Sequence, residues 1–169
     1  MKQIFYRIER CLGCKSCELS CAVEHSFSKK MADAVTEEPR PVNRVRVLSL
    51  GDKRSHVSVR SIALLCRQCA EPACAEACIC GGIVKDKESG VVTFNTDRCV
   101  GCWSCTMVCP YGAIVRIKDS CTTAKCDLCP GSVIPACVSA CPTGALVYCE
   151  PEEFLELTKK GTPAIEINV

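Results

Sequence analysis

Hydrophobic residues along this chain come in short runs, separated by polar segments that are rich in glycine or proline. Apolar residues alternate or cluster in "NRVRVLSL" and "HVSVRSIALL" on either side of "GDKR", which predicts a β-hairpin. The runs "QIFYRIE" and "VVTFNT" predict two more short strands, each leading towards a cysteine. Because no run approaches about 18 apolar residues, the pattern predicts no membrane span.

The longer connections differ in character. The stretch "AVEHSFSKKMADAVTEEPRP" is polar, and we expect it to contain a helix end followed by a loop. In "PEEFLELTKKG", acidic residues at the start and lysines then glycine at the end predict a short helix, since these charges complement the helix dipole. The final "TPAIEINV" alternates like a strand, and we expect it either to extend the protein's own sheet or to dock on a partner.

Three segments repeat, each with a cysteine, a turn containing glycine and a short apolar run. Their cysteines, Cys78, Cys109 and Cys141, stand 31 and 32 residues apart. The repeat predicts a return strand after each glycine turn. Short strands and short helices attached to cysteine loops predict an α+β fold.

Cysteine is the compositional outlier, with 19 residues among 169. A disulfide scaffold is the simplest explanation of such a content, but the odd count would leave one thiol unpaired, and the start has no apolar signal segment. Closely spaced cysteines suit a metal better than separate bridges. We therefore expect the cytoplasm, where free thiols persist. The net charge of +2 is spread along the chain without a basic block, so no nucleic-acid partner is expected.

Sixteen of the cysteines fall into four groups of four. The first group is Cys11, Cys14, Cys17 and Cys21; the second is Cys66, Cys69, Cys74 and Cys78; the third is Cys99, Cys102, Cys105 and Cys109; the fourth is Cys126, Cys129, Cys137 and Cys141. The first and third groups have the C-x2-C-x2-C-x3-C spacing of bacterial ferredoxins, whereas the second and fourth have a longer second gap.

This spacing fits iron–sulfur clusters better than zinc. Three cysteines on one winding loop can reach three corners of a 4Fe-4S cubane, and the fourth ligates the other cluster of a pair. We expect this fourth cysteine to begin a short helix. Structural zinc sites instead use two pairs of ligands separated by a long spacer. Cysteine excluded, apolar residues make up only about 37% of the chain, so we expect bound metal to contribute to folding.

Four such groups in this order, with "CLGCKSCELSCAVEHS" at the start, resemble the four-cluster ferredoxin-type subunits of the dimethyl sulfoxide reductase iron–sulfur family. The resemblance is to its short soluble branch, like the carbon monoxide dehydrogenase-linked ferredoxin and the small subunits of tungsten aldehyde oxidoreductase, formate dehydrogenase and hydrogenase complexes. It covers residues 1 to about 149.

The resemblance implies two nested ferredoxin-like units, an outer one of residues 1–60 with 116–169 and an inner one of 61–115. It also implies four 4Fe-4S sites, here named A to D. Site A is Cys11, Cys14, Cys17 and Cys141; site B is Cys126, Cys129, Cys137 and Cys21; site C is Cys66, Cys69, Cys74 and Cys109; site D is Cys99, Cys102, Cys105 and Cys78. Pairing of the groups in sequence order remains an alternative.

The implied function is electron transfer. The chain would relay single electrons through four clusters between a large catalytic redox subunit, of the tungsten, molybdenum, carbon monoxide dehydrogenase or hydrogenase type, and another partner such as a soluble carrier or flavoprotein. It would not itself be an enzyme, and no acid–base pair, activated nucleophile or phosphate loop is evident. A free-standing polyferredoxin shuttle and a zinc-binding structural module are the alternatives.

The remaining candidates have weaker signals. Cys80 stands where threonine is usual in the family, and Cys80, Cys121 and Cys149 are spare; we expect them to be small buried hydrophobes. Cys121, Cys126 and Cys129 also have plant-type two-iron spacing, but no β-grasp pattern surrounds them.

Several other residues near the cysteines have two possible roles. His25 and His56 are more readily explained as surface or loop residues than as ligands. Arg67, Arg98 and Lys125 lie beside ligands and either raise reduction potentials or are simply solvated. Because Cys102 is present, we expect four complete cubanes, with Trp103 packing over one of them.

Overall fold

The computed structural model describes residues 1–49, 61–117 and 119–159. Within these ranges the chain forms eight short strands, six α-helices and two single 3-10 turns, Ile8–Arg10 and Thr96–Arg98. The strands are β1 (Gln3–Tyr6), β2 (Arg46–Ser49), β3 (Ser61–Leu64), β4 (Ile83–Lys85), β5 (Val92–Phe94), β6 (Val115–Ile117), β7 (Thr122–Ala124) and β8 (Leu146–Cys149). The helices are α1 (Ser16–Glu24), α2 (Met31–Ala34), α3 (Ala73–Glu76), α4 (Ser104–Val108), α5 (Ala136–Ser139) and α6 (Pro151–Lys159).

The strands pair as four antiparallel two-stranded ribbons: β1 with β8, β2 with β3, β4 with β5 and β6 with β7. The first of these joins segments far apart in sequence, with Gln3 opposite Cys149 and Tyr6 opposite Leu146. The helices also pair, because α1 packs against α5 and α3 packs against α4. The first and fourth cysteine groups are therefore neighbours, and so are the second and third.

Most predicted elements are confirmed. The hairpin is present as β2 and β3, with Arg46 opposite Leu64, although its turn lies outside the described residues. The three return strands are β4, β6 and β8, and the predicted terminal helix is α6. The "TPAIEINV" segment lies outside the described residues. None of the described helices is long and apolar enough to cross a membrane.

One expected loop contains a helical turn. After α1 ends at Glu24, α2 forms within the polar stretch that we expected to be irregular. Its last residue, Ala34, is buried and donates its backbone N–H to Lys30 O at 2.9 Å. A single turn offers too few positions to show helical periodicity, so tertiary burial rather than local pattern defines it.

Cysteine side chains form much of both hydrophobic cores. The larger core combines Cys17, Cys21 and Cys137 with aliphatic residues from β1, β2, β3 and β8. The smaller combines Cys105 with Ile83, Val92 and Ile114 and is flanked by Cys74, Cys78 and Cys109. The thiols pack in these cores as small hydrophobic groups.

Candidate iron–sulfur sites

The third cysteine of each group occupies the second position of a helix. These residues are Cys17 in α1, Cys74 in α3, Cys105 in α4 and Cys137 in α5. Our expectation that the fourth cysteine begins the helix is wrong: Cys21 lies within α1, and the other three follow their helices. One turn of helix thus separates the third and fourth sulfurs, which directs the fourth towards a different neighbourhood from the first three.

A left-handed residue precedes the second cysteine in all four groups. It is glycine in two groups, Gly13 and Gly101, but Gln68 and Leu128 in the others, with φ between 47° and 69° in all four. Glycine adopts this conformation without strain, whereas larger residues need their surroundings to hold them there. Both Gln68 and Leu128 are buried, and their packing supplies that constraint.

The four cysteines assigned above to site C line one cavity. A space of about 210 Å³ is lined by Cys66, Cys69, Cys74 and Cys109, together with Lys125 and Tyr111. Burial raises the pKa of Cys74 to about 11, and the charges of Cys66, Cys109 and Cys69 contribute. Three cysteines of the second group therefore meet one cysteine of the third.

The other three gatherings follow the same rule. One cavity is lined by Cys11, Cys14, Cys17 and Cys141. Burial raises the pKa of Cys17 to about 11, and the charge of Cys141 contributes to this rise. Burial also raises the pKa values of Cys105 and Cys137. The charges of Cys78, Cys102 and Cys99 add to the rise in the pKa of Cys105. The charges of Cys126, Cys21 and Cys129, and more weakly that of Cys17, add to the rise in the pKa of Cys137.

The donor set fits an iron–sulfur cluster. Each gathering offers four thiols, the number a cubane requires. Thiolates buried together repel one another and lose hydration, which the positive charge of iron would offset. Backbone amides also face the sulfurs: Arg44 N donates to Cys21 Sγ and Ala145 N to Cys141 Sγ, both at 3.2 Å. The cavity at site C is smaller than usual organic-ligand pockets, which favours a compact inorganic group.

Two buried polar side chains lie beside the second and fourth groups. Lys125 and Gln68 are only 1% and 2% exposed. Lys125 Nζ donates to the carbonyl oxygens of Val92 and Cys126, the latter at 2.7 Å. Gln68 Nε2 donates to Cys126 O at 3.0 Å, while its Oε1 accepts from Val92 N at 2.9 Å. The solvated interpretation is therefore wrong for Lys125, although Arg67 and Arg98 are exposed.

Sequence reasoning missed Gln68. The available signal was its position, which matches Gly13 and Gly101 in the regular groups and so marks a residue with positive φ.

His25 is half-buried beside Cys21 and the loop of the fourth group rather than free on the surface. It caps the end of α1, with Nδ1 3.7 Å from Cys21 Sγ and Nε2 3.2 Å from Asp127 Oδ1. Burial opposes its charge, but the hydrogen bonds to Asp127 and Cys21 prevail and raise the pKa of His25 to about 9. Arg44 forms an ion pair with the other oxygen of Asp127. His56 lies outside the described residues.

The spare cysteines differ from one another. Cys149 is buried in β8 as expected. The expectation is wrong for Cys121, which is exposed, and for Cys80, which is half-buried with its sulfur 3.6 Å from that of Cys78. Trp103 is half-buried and stacks with Arg116, whose guanidinium carbon lies 5.2 Å from the ring centre.

Cysteine loops of this geometry define a ferredoxin-type iron–sulfur protein. Residues 57–150 match the 4Fe-4S dicluster domain family, and the chain belongs to that family. It is 35% identical over 147 residues to the putative electron transport protein YsaA of Escherichia coli, covering 85% of this chain and 87% of that protein. These similarities favour iron–sulfur clusters over zinc.

Two further relatives carry related names. The chain is 33% identical over 165 residues to the electron transport protein HydN of Escherichia coli, covering 88% of each. It is 27% identical over 163 residues to the iron–sulfur subunit of the nitrate-inducible formate dehydrogenase of the same species, covering 90% of this chain and 55% of that subunit. The chain is thus an iron–sulfur protein related to electron-transport proteins.

Proposed function

We propose that this chain is a non-catalytic electron-transfer subunit that relays single electrons through four 4Fe-4S clusters between a catalytic oxidoreductase subunit and a second redox partner. The observation that best supports this proposal is that cysteines from different groups lie close together. Two cavities are each lined by three cysteines of one group and one of another, and the effects of the thiols on the pKa values of Cys105 and Cys137 support the same pattern for the other two sites. When bound, each cubane accepts and releases one electron, and the protein sets its position and surroundings.

The proposed ligand sets are sites A to D as defined above, within two nested units. Support for the outer unit comes from the pairing of β1 with β8 and of α1 with α5. Support for the inner unit comes from the pairing of α3 with α4 and of β4 with β5. Groups that pair in sequence order would instead bring α1 against α3 and α4 against α5.

The contacts between gatherings support the order A, B, C, D. The charge of Cys17 in site A contributes to the raised pKa of Cys137 in site B. Cys66 in site C acts likewise on Cys126 in site B, where Gln68 also bridges the two loops. The packing of α3 against α4 connects site C to site D.

The two ends of this series have the most accessible sulfurs. Cys14 in site A and Cys102 in site D are exposed, whereas Cys129 and Cys137 in site B are buried. Apolar residues beside the exposed sulfurs, Leu12 and Val100, are also exposed. Electrons would enter at one end and leave at the other, with a partner covering each.

The catalytic partner would be a large redox subunit of the tungsten, molybdenum, carbon monoxide dehydrogenase or hydrogenase type. The relationship to a formate dehydrogenase iron–sulfur subunit supports a catalytic partner of this general kind. The second partner would be a soluble carrier or flavoprotein. The proposed compartment is the cytoplasm, because free thiols remain available there for cluster assembly.

Iron and sulfide analysis tests the cluster content. Protein purified anaerobically should contain about sixteen iron atoms and about sixteen sulfides per chain. Stoichiometric zinc with little iron would instead support the structural-module alternative.

Paired alanine variants test the ligand sets. The Cys14→Ala/Cys141→Ala double variant removes two ligands of one proposed site and should lose one cluster, about four irons. The Cys126→Ala/Cys141→Ala variant affects two proposed sites and should lose two clusters, about eight irons. If each group held its own cluster, the two results would be exchanged; if groups paired in sequence order, both variants would lose two clusters.

A free-standing polyferredoxin shuttle remains the second candidate. It shares every ligand with the subunit but has no permanent partner. Purification of the tagged chain from its native host distinguishes the two: a stoichiometric complex with a catalytic subunit supports the proposal, and an isolated, redox-active chain supports the shuttle.

A further inference from the structure

In two of the four groups, the side chain two residues after the fourth cysteine lies beside that cysteine's sulfur. In the fourth group, Thr143 Oγ1 lies 3.8 Å from Cys141 Sγ. In the second group, Cys80 Sγ lies 3.6 Å from Cys78 Sγ. The same local fold therefore directs a hydroxyl at one proposed ligand and a thiol, itself able to bind iron, at another.

Cys80 contacts the proposed site D from a second direction as well. The backbone groups of Gly82 and Val100 lower the pKa of the Cys80 thiol, and Val100 directly follows the proposed ligand Cys99. The charge of Cys80 also acts on Cys102, a third member of the site. Cys80 is thus a fifth thiol beside the four cysteines proposed for site D.

We propose that Cys80 is a reserve iron ligand of site D, which completes the site when Cys78 is displaced. The inference rests on the proposed function. In the exchange, Cys80 Sγ would replace Cys78 Sγ as the thiolate bound to iron, so that one iron–sulfur bond would form as the other breaks. The thiol proton of Cys80 passes to the departing Cys78 thiolate across the 3.6 Å contact, so no electron, oxidant or reductant is required.

A reserve ligand would be useful at site D because this site is accessible to solvent. Cys102 is exposed, and so are the adjacent Val100 and Ile79, which leaves this end of the series open to solvent and to partners. The equivalent position carries Val23 near site B, Tyr111 near site C and Thr143 near site A. None of these side chains is a thiol.

Iron content after alanine substitution tests the proposal, because alanine offers no donor atom. In protein purified anaerobically, Cys78→Ala and Cys80→Ala should each retain the wild-type iron content. The Cys78→Ala/Cys80→Ala variant should lose at least one and at most about four irons. Cys141→Ala is the matched control, since Thr143 cannot replace its thiolate, and it should lose the same amount on its own.

If Cys78→Ala loses as much iron as Cys141→Ala, the proposal is overturned. Transferring the thiol gives a second test if Cys78→Ala does not fold: Cys141→Ala/Thr143→Cys should recover the iron lost in Cys141→Ala. Failure of that recovery would equally overturn the proposal. The wild-type protein keeps the two hypotheses apart, since a wild-type content far below about sixteen irons contradicts the proposed function itself.

Discussion

The regular and the stretched cysteine groups solve the same binding problem in different ways. In the first and third groups, helices α1 and α4 begin directly after a left-handed residue, Lys15 or Trp103. In the second and fourth, the longer gap ends in a non-helical proline, Pro72 or Pro135, that precedes the helix. The extra residues therefore replace a tight turn with a proline-led entry to the helix.

The second cysteine is also less exposed in the stretched groups, where Cys69 is half-buried and Cys129 is buried. In the regular groups Cys14 and Cys102 are exposed, and hydrogen bonds with Ser16 and Ser104 lower the pKa of each thiol. In the fourth group Cys129 is buried, and burial raises its pKa. In the proposed arrangement, regular groups build the terminal sites A and D and stretched groups build the central sites B and C. Loop length thus separates accessible ends from a protected middle.

Metal removal should expose the contrast most strongly. With a chelator under anaerobic reducing conditions, we expect about half of the iron, held at the terminal sites, to leave first. The central half should leave slowly, and its loss should abolish cooperative unfolding, because Cys21 and Cys137 belong to the larger core. Iron release followed by absorbance, with circular dichroism in parallel, measures both steps. Single-phase release, or an apoprotein that melts like the loaded one, would contradict the comparison.

Glycine in a regular group should be harder to replace than an equivalent glycine elsewhere. Gly101 has φ +67°, and a Cβ there would lie 2.2 Å from Cys121 O. Gly144 has a similar φ of +60°, but nothing lies within 4 Å of its Cβ position. Backbone strain alone should make Gly144→Ala cost about 1 kcal/mol, and the added overlap should make Gly101→Ala cost about 3 kcal/mol.

Anaerobic thermal denaturation of the two loaded variants checks this expectation. The melting temperature should fall by about 3 °C for Gly144→Ala and by about 9 °C for Gly101→Ala. Equal shifts would show that the close approach of Cys121 to this loop imposes no constraint.

Local sequence was sufficient for the elements that depend on local chemistry. Turn residues and short apolar runs predicted β4, β6 and β8, and charge at its two ends predicted α6. Cysteine spacing predicted iron–sulfur chemistry, which membership of the 4Fe-4S dicluster family supports. The assignment of individual cysteines to sites A to D stays a prediction.

Features that depend on long-range packing could not be predicted in this way. The buried state of Lys125 arises because Val92 O and Cys126 O, 33 residues away and one residue away, accept from its ammonium group. Likewise Cys80, Cys121 and Cys149 all stand outside the four cysteine groups, so the sequence predicts the same environment for each. Of these three only Cys149 is buried, because its strand, β8, pairs with β1. Nothing in a single sequence distinguishes these environments.

The smallest expected effect concerns two lysines, each adjacent to a proposed ligand. Lys125 is buried between the second and fourth groups, lines the cavity of site C, and counteracts the effect of burial on the pKa of Cys74. Lys15, beside Cys14, is exposed. Because a reduced cluster carries one more negative charge, a buried ammonium group favours reduction, whereas water and salt screen an exposed one.

Lys125→Gln should therefore lower the reduction potential of a central cluster by an amount on the order of 50 mV, and Lys15→Gln should change that of a terminal cluster by about 10 mV or less. Anaerobic redox titration followed by electron paramagnetic resonance measures both. Lys125→Arg separates charge from packing, because it keeps the positive charge and should restore most of the potential. Equal shifts for Lys125→Gln and Lys15→Gln would remove the electrostatic distinction between the middle and the ends. If Lys125→Arg lowers the potential as much as Lys125→Gln, the shift comes from disturbed packing around Val92 and Cys126. Arginine keeps the positive charge, so only the shape of the side chain would then differ from the native protein.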